Sequence, residues 1–219
     1  MPDDAVAAIV AEIGKLRGDR DRVLVGIAGA PASGKSTIAA DVVNAFRARD
    51  GAGSAVLVPM DGYHLDNAEL DLMGMRSVKG APQTFDVAGF VGLVRAIRSQ
   101  SDVIRYPLFD RAEDKTMPDA GTLYPTTPVV VIEGNYLLLR QKGWQDLRPL
   151  FDLTVMLSAP LTELRTRLVD RWISNGFSYA EAKARAEEND IPNAQAVTGN
   201  SAAAHLTLRV GVQEKLQER

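Results

Sequence analysis

The sequence predicts an α/β fold, a three-layer sandwich with helices on both faces of a mostly parallel, five-stranded core sheet. Three observations carry this expectation. Apolar runs of strand length (Val23–Ala28, Ala55–Met60, Pro128–Gly134, Leu153–Leu157) alternate with stretches of helical periodicity. These runs lack polar alternation, above all Val129-Val130-Val131-Ile132, as strands buried on both faces do. The first run leads into Gly29-Ala30-Pro31-Ala32-Ser33-Gly34-Lys35-Ser36-Thr37, which fits G-x-x-x-x-G-K-[ST] between a strand and a helix. That loop makes the expected fold a P-loop NTPase.

In chain order, Asp3 or Asp4 is expected to cap a helix with Ala5, Val6, Ile9, Val10, Ile13 and Leu16 on its apolar face, ended by Gly18. After the first strand and the loop, a helix from about Gly34 to Arg49 carries Ile38, Val42 and Phe46 on one side, and Gly51-Ala52-Gly53 closes it. The second strand ends at Asp61-Gly62-Tyr63-His64, and a polar, loop-rich stretch runs to about residue 85. Asp86 reads as the cap of a helix bearing Val87, Phe90, Val91, Val94 and Ile97. Val103–Phe109 reads as a strand, and Pro118, Gly121 and Pro125 make Ala112–Thr127 a small hairpin or excursion. A short helix at Trp144–Leu147 precedes the strand Leu153–Leu157. Pro160 then opens a helix to about Ser174 with Leu161, Leu164, Leu168 and Trp172 on one face. Ser178-Tyr179-Ala180-Glu181 is a capping box for a helix to about Glu188, and Leu206–Val210 is a last strand before a polar tail.

The 219 residues suit a single domain, 1–219, with a lid at about 160–190 and an acceptor-site insertion at about 62–127. Lys and Arg number 25 against 28 Asp and Glu, so the net charge of −3 supplies no basic footprint for nucleic acid. The chain has no cysteine, which removes disulfides, thiolate metal sites and cysteine nucleophiles. Met1-Pro2-Asp3-Asp4 lacks a signal-peptide layout and no apolar run is long enough for a membrane span, so the expected setting is cytoplasmic. The expected partner is a small-molecule acceptor, not nucleic acid or membrane, with the protein a monomer or homodimer.

The loop chemistry is specific. Backbone N–H groups must converge on a phosphate, so Gly29 and Gly34 are expected where a Cβ would clash. The following helix aims its positive end at the same anion. Ala30, Ala32, Ser33 and Thr37 complete the nucleotide cradle, Lys35 reaches the β- and γ-phosphates of ATP, and Ser36 can ligate Mg²⁺. Asp61 and Glu133 each follow an apolar strand, and open parallel sheets bind ligands beyond the carboxyl ends of their strands. Asp61 is therefore placed to take a proton from an acceptor hydroxyl, and Glu133 to hold Mg²⁺ beside Ser36. Arg167 and Arg171 share a helix face and Arg165 lies off it, so this helix is expected to close over the triphosphate, Arg167 as a nucleotide contact and Arg171 as a catalytic charge. His64 is a candidate substrate contact and His205 a structural residue.

With these residues in view, the chain resembles the phosphoribulokinase/uridine kinase family of small-molecule kinases, whose fold is nucleoside-kinase-like. The matching stretches are the loop 29–37, Met60-Asp-Gly-Tyr-His64, Tyr106-Pro-Leu-Phe-Asp-Arg111, Ile132-Glu-Gly-Asn135 and the basic helix 164–171. Lys79-Gly-Ala-Pro-Gln-Thr-Phe-Asp86 looks like a stretch of bacterial pantothenate kinases, and the whole is similar to kinases of fructose transport systems. The resemblance implies Asp61 as base, Ser36 and Glu133 at Mg²⁺, and Tyr63, His64, Lys79, Phe109, Arg111 and Asn135 around the acceptor. Phe109-Asp110-Arg111 departs from the uridine-kinase pattern; an arginine there suits an anionic or hydroxyl-rich acceptor, leaving pantothenate, a sugar or a sugar-like metabolite ahead of uridine. Competing readings are a regulatory GTPase, a transporter ATPase subunit and a non-catalytic nucleotide-binding regulator. Asp71-Leu72-Met73-Gly74 matches D-x-x-G but follows a polar loop, and neither Asn-Lys-x-Asp nor Leu-Ser-Gly-Gly occurs.

Overall fold

A computed structural model describes residues 2–99 and 102–211. Its centre is a five-stranded sheet in the order β2-β5-β1-β6-β7, formed by β1 (Val23–Gly29), β2 (Ala55–Pro59), β5 (Val129–Gly134), β6 (Leu153–Ser158) and β7 (Leu206–Arg209). Every pairing in it is parallel. The polar tail after Val210 lies mostly outside the described residues.

The apolar runs form strands because their two faces meet different helices. Val23, Val25 and Ile27 of β1 pack with α1 (Pro2–Leu16) and α2 (Lys35–Asp50) through Ile9, Ile13, Ile38, Val42 and Phe46. Leu24 and Ala28 face the other way, toward Phe90, Val94 and Ile97 of α4 (Val87–Ser99) and Val197 of α7 (Ile191–Asn200). All seven residues of β1 are buried. Each fully buried Val or Ile contributes roughly 1.5–3 kcal/mol, so burial on both faces favours the central position that β1 holds in the sheet.

Local chemistry sets most boundaries. Asp86 caps α4 by accepting from the Gly89 N–H at 2.9 Å. Ser178 and Glu181 form the reciprocal capping box at the start of α6 (Tyr179–Arg185). α1 already begins at Pro2, ahead of Asp3 and Asp4, which lie in its first turn; proline's fixed φ is preorganised for that first position. α3 (Asn67–Leu72) ends at Gly74, whose φ of +66° terminates a helix, and Asp71 pairs with Arg76, so the D-x-x-G match is a helix end.

β3 (Ile104–Asp110) and β4 (Lys115–Leu123) form an antiparallel hairpin outside the main sheet. The largest difference from the sequence reading lies at 186–200. The helix after the capping box does not end near Glu188; it passes through a π-turn, Ala186–Asp190, and continues as α7. α5 (Leu161–Ser174) packs against α6, this turn and α7 through Leu168, Val169, Ala182, Ala186 and Ile191. His205 is structural: its Nδ1 accepts from the Thr154 N–H at 3.0 Å, fastening the segment before β7 to β6. Among the described residues no helix is long and apolar enough to cross a membrane.

Candidate active site

Three chain segments reach one end of the sheet on adjacent strands. Glu133 lies in register with Ile27 of β1 on one side and Pro59 of β2 on the other. Neighbouring strands are about 4.8 Å apart, so the loop after β1, the Asp61 turn after β2 and Glu133 stand side by side.

The loop backbone is folded back on itself, with the Ser33 N–H donating to the Ala30 carbonyl at 3.1 Å and Ala32 held at φ +62°. A left-handed alanine costs about 1–3 kcal/mol, which the rest of the loop must offset. The two glycines act differently. A Cβ on Gly29 would stand 2.6 Å from Ser33 Oγ, as the sequence led us to expect. At Gly34 a Cβ would meet nothing within 4 Å; there the requirement is conformational, a φ of +84° immediately before α2. Ala30 and Ser33 are buried, Lys35 is half-buried, and Ser36 and Thr37 are exposed.

Glu133 is only 4% exposed. Its Oε1 accepts from Ser36 Oγ at 3.2 Å, while Oε2 is buried with no hydrogen-bond partner. Burial pushes its carboxyl pKa above the ordinary 4.5, Asp61 adds to the rise, and Lys35, Ser36 and Arg111 oppose it. An orphaned buried carboxylate oxygen beside a hydroxyl at a phosphate loop fits a hard divalent cation, which takes one or two protein oxygens and completes its shell with phosphate and water. The sign of the shift has a consequence. A raised folded pKa stabilises the protein fully below about pH 4.5 and this contribution is lost as pH rises through the folded value. Thermal melts of Glu133→Gln should therefore show a flatter decline than wild type above about pH 4.5 and lose most of the extra stabilisation from Mg²⁺ with nucleotide. An undiminished Mg²⁺-dependent rise in the variant would remove Glu133 from the metal site.

Asp61 pairs with Arg111, which reaches back from the β3–β4 hairpin. The Asp61 side chain is 19% exposed and that of Arg111 70%, so the carboxylate is tucked in while its partner stands mostly in solvent. His64 Nδ1 lies 2.8 Å from the Asp61 carbonyl; a carbonyl only accepts, so Nδ1 carries the proton. The His64 ring is sandwiched between Phe85 at 4.1 Å and Phe109 at 4.6 Å, and burial lowers its pKa, favouring the neutral imidazole. Tyr63 packs on Phe90, and burial, with Asp86 adding, pushes its hydroxyl up to about 12. Asn135 Oδ1 is buried without a hydrogen-bond partner. A cavity of about 420 Å³ starts at Gly62, the residue after Asp61; its lining includes Tyr63, His64, Asp66, Glu69 and Asp86, no Lys or Arg, and not Asp61 itself.

The structure distributes the predicted cations unequally. Arg167 donates to the Ala32 carbonyl at 3.2 Å and pairs with Glu163, so it stands at the loop. Arg171 is turned to Asp190 at 3.1 Å and Arg165 to Glu187 at 2.6 Å. Lys79 Nζ donates to Asn67 Oδ1 at 2.7 Å, Asp114 Oδ1 at 2.8 Å and the Asp114 carbonyl at 3.2 Å, and lies 5.0 Å from the Phe109 ring centre. Its three protons are committed, so Lys79 ties α3 to the turn of the β3–β4 hairpin. Sequence reasoning missed Asn67 and Asp114, which anchor Lys79, and Asn189, Asp190 and Asn193 in the π-turn and α7. Asn189-Asp190 reads as a polar helix end before Ile191-Pro192, and that signal hid a continuing helix.

No family model matches the chain. A Schizosaccharomyces pombe protein described as a "putative uridine kinase" is 34% identical over 197 residues, spanning 87% of this chain and 84% of its own. A pantothenate kinase of Leifsonia xyli subsp. xyli is 31% identical over 156 residues, 70% of this chain and 47% of that enzyme. The crystal structure of a "putative fructose transport system kinase" from Silicibacter sp. TM1040 superposes with a TM-score of 0.85 at 42% identity, covering 93% of this chain and 98% of that one.

Proposed function

From the premise that this chain belongs to the P-loop kinases of the uridine kinase and phosphoribulokinase type, we propose that it transfers the γ-phosphate of ATP to a hydroxyl of a small metabolite. The observation that carries this reading is the alignment of the phosphate loop, Asp61 and Glu133 on three adjacent strand ends. The loop N–H groups, Lys35 and Arg167 hold the triphosphate, and Asp61 faces the acceptor. Ser36 and Glu133 would hold Mg²⁺, which when bound neutralises charge on the β- and γ-phosphate oxygens.

In the transfer, the acceptor oxygen attacks the γ-phosphorus as the bond to the ADP oxygen breaks, and the hydroxyl proton passes to Asp61. Arg111 must first leave Asp61, and its exposure makes that displacement cheap. The cavity that starts at Gly62 bears on the acceptor. Three carboxylates and no basic side chain in its lining favour a neutral, hydroxyl-rich molecule over an anionic one, so a sugar or polyol leads pantothenate. A nucleoside is the second reading, favoured by the name of the S. pombe relative.

The deciding experiment measures ADP release with ATP and Mg²⁺ across hexoses, pentoses, polyols, nucleosides, pantothenate and sugar phosphates, with Asp61→Asn as the blank. Acceptor-dependent ADP release by the wild type alone supports the kinase. ADP formed at one rate with every compound and with none would leave only a nucleotide hydrolase or regulator. Arg111 is outside the lining of that cavity; once released from Asp61 it is the basic group we place on an acceptor hydroxyl, so Arg111→Ala should raise the acceptor's KM about tenfold or more while moving that of ATP less than about twofold. An unchanged acceptor KM would remove Arg111 from the acceptor.

A further inference from the structure

The lid meets the acceptor wall through a feature that the loop, the base and the metal pair do not use. Between α6 and α7 the chain makes the π-turn Ala186–Asp190. Pro192, just beyond, has no N–H to donate, and its ring crowds the carbonyl of Glu188, so a regular helix does not run through this point. Single π-turns of this kind are frequent at functional sites.

Two neighbouring side chains of the turn serve different elements. Asp190, only 7% exposed, accepts from Trp172 Nε1 at 2.6 Å and from Arg171 at 3.1 Å, so it grips α5. α5 in turn touches the phosphate loop through Arg167 and the Ala32 carbonyl. Asn189 points elsewhere. Its Nδ2 donates to the Lys79 carbonyl at 2.9 Å, and Nδ2 of the buried Asn193 donates to Asn189 Oδ1 at 3.0 Å. A carbonyl only accepts and Asn193 occupies the amide oxygen, so the Asn189 amide has one orientation.

Lys79 is the joint of the acceptor wall. Its amine ties Asn67 to Asp114 and lies over Phe109, Phe109 stacks on His64, and His64 donates to the Asp61 carbonyl. The next carbonyl, of Gly80, accepts from the Tyr136 hydroxyl at 2.5 Å. The Lys79–Gly80 backbone is therefore held by the lid on one side and by the residue after Asn135 on the other.

We propose that Asn189 is a positioning residue that joins the lid to the acceptor wall, so that ordering the lid on the triphosphate also sets Lys79, Phe109, His64 and Asp61. This rests on the nucleotide-binding reading above. Asn189 touches neither reacting group; it acts through the Lys79 backbone. Loss of one such bond alters coupling between two sites by roughly two- to tenfold.

The test is amide hydrogen exchange of the full chain with Mg²⁺ and the β,γ-imido analogue of ATP, which requires no acceptor. In the wild type the analogue should slow exchange in segments 29–37 and 161–190 and, through Asn189, in 76–86. In Asn189→Asp, which keeps the shape and the bond from Asn193 but removes the donor to Lys79, the first two should stay protected while 76–86 loses its protection, roughly fivefold. Asn189→Ser, which adds no charge, should behave alike and serves if the aspartate variant misfolds. Protection of 76–86 that persists in both variants, or is missing from a wild type whose loop and lid are protected, overturns the proposal. Absent protection at 29–37 overturns the nucleotide reading, and the proposal with it.

Discussion

Lys35→Ala should abolish phosphoryl transfer, lowering turnover by about 10³-fold or more, with the fold intact. Lys35 is the one basic side chain between Gly29 and Thr37, and its charge is felt by the buried Glu133 carboxyl. The loop N–H groups remain in the variant, so residual nucleotide binding is expected, but the positive charge over the transferring phosphoryl group is gone. Half-buried at the start of α2, Lys35 supports no apolar cluster, so the melting temperature without ligand should change by only a few degrees. The measurement is acceptor-dependent ADP release beside thermal melts. Undiminished turnover in a folded variant would remove the loop from the chemistry.

The second large effect is at Asp61. Asp61→Asn should lower turnover by roughly 10²–10⁴-fold while leaving ATP affinity near that of the wild type. The substitution keeps the shape and removes the proton acceptor. It also releases Arg111 from a pair that is mostly open to solvent on the arginine side, and exposed pairs contribute only about 0–1 kcal/mol, so stability is expected to hold. Single-turnover kinetics with a nucleotide-binding titration separates the two quantities. Should ATP affinity collapse with turnover, Asp61 serves the metal or the loop instead of the acceptor hydroxyl.

Both experiments address residues legible before any coordinates, and the reason is physical. A phosphate cradle has few solutions, so Gly29–Thr37 must be spelled in small residues, one lysine and one hydroxyl next to a helix start. Asp61 and Glu133 stood out because a carboxylate after an apolar strand of a parallel sheet falls where ligands bind. At Gly34 the protein's own atoms leave an added Cβ without contact, and the left-handed φ is the demand that the structure adds. The acceptor wall was only partly legible. The resemblance put Lys79 at the acceptor site, and its commitment to Asn67 and Asp114 arises from segments distant in sequence that meet when the hairpin folds back.

The chain's own order of residues determined the five-stranded α/β core, the phosphate loop and the two strand-end carboxylates, because burial on both faces and close backbone approach act residue by residue on neighbours in sequence. The tertiary structure alone decided which arginine reaches the loop, where Lys79 spends its protons, and that the lid helix continues through a π-turn to place Asn189 on the Lys79 carbonyl. Those outcomes depend on which long polar side chains find partners across space, and periodicity carries no record of that.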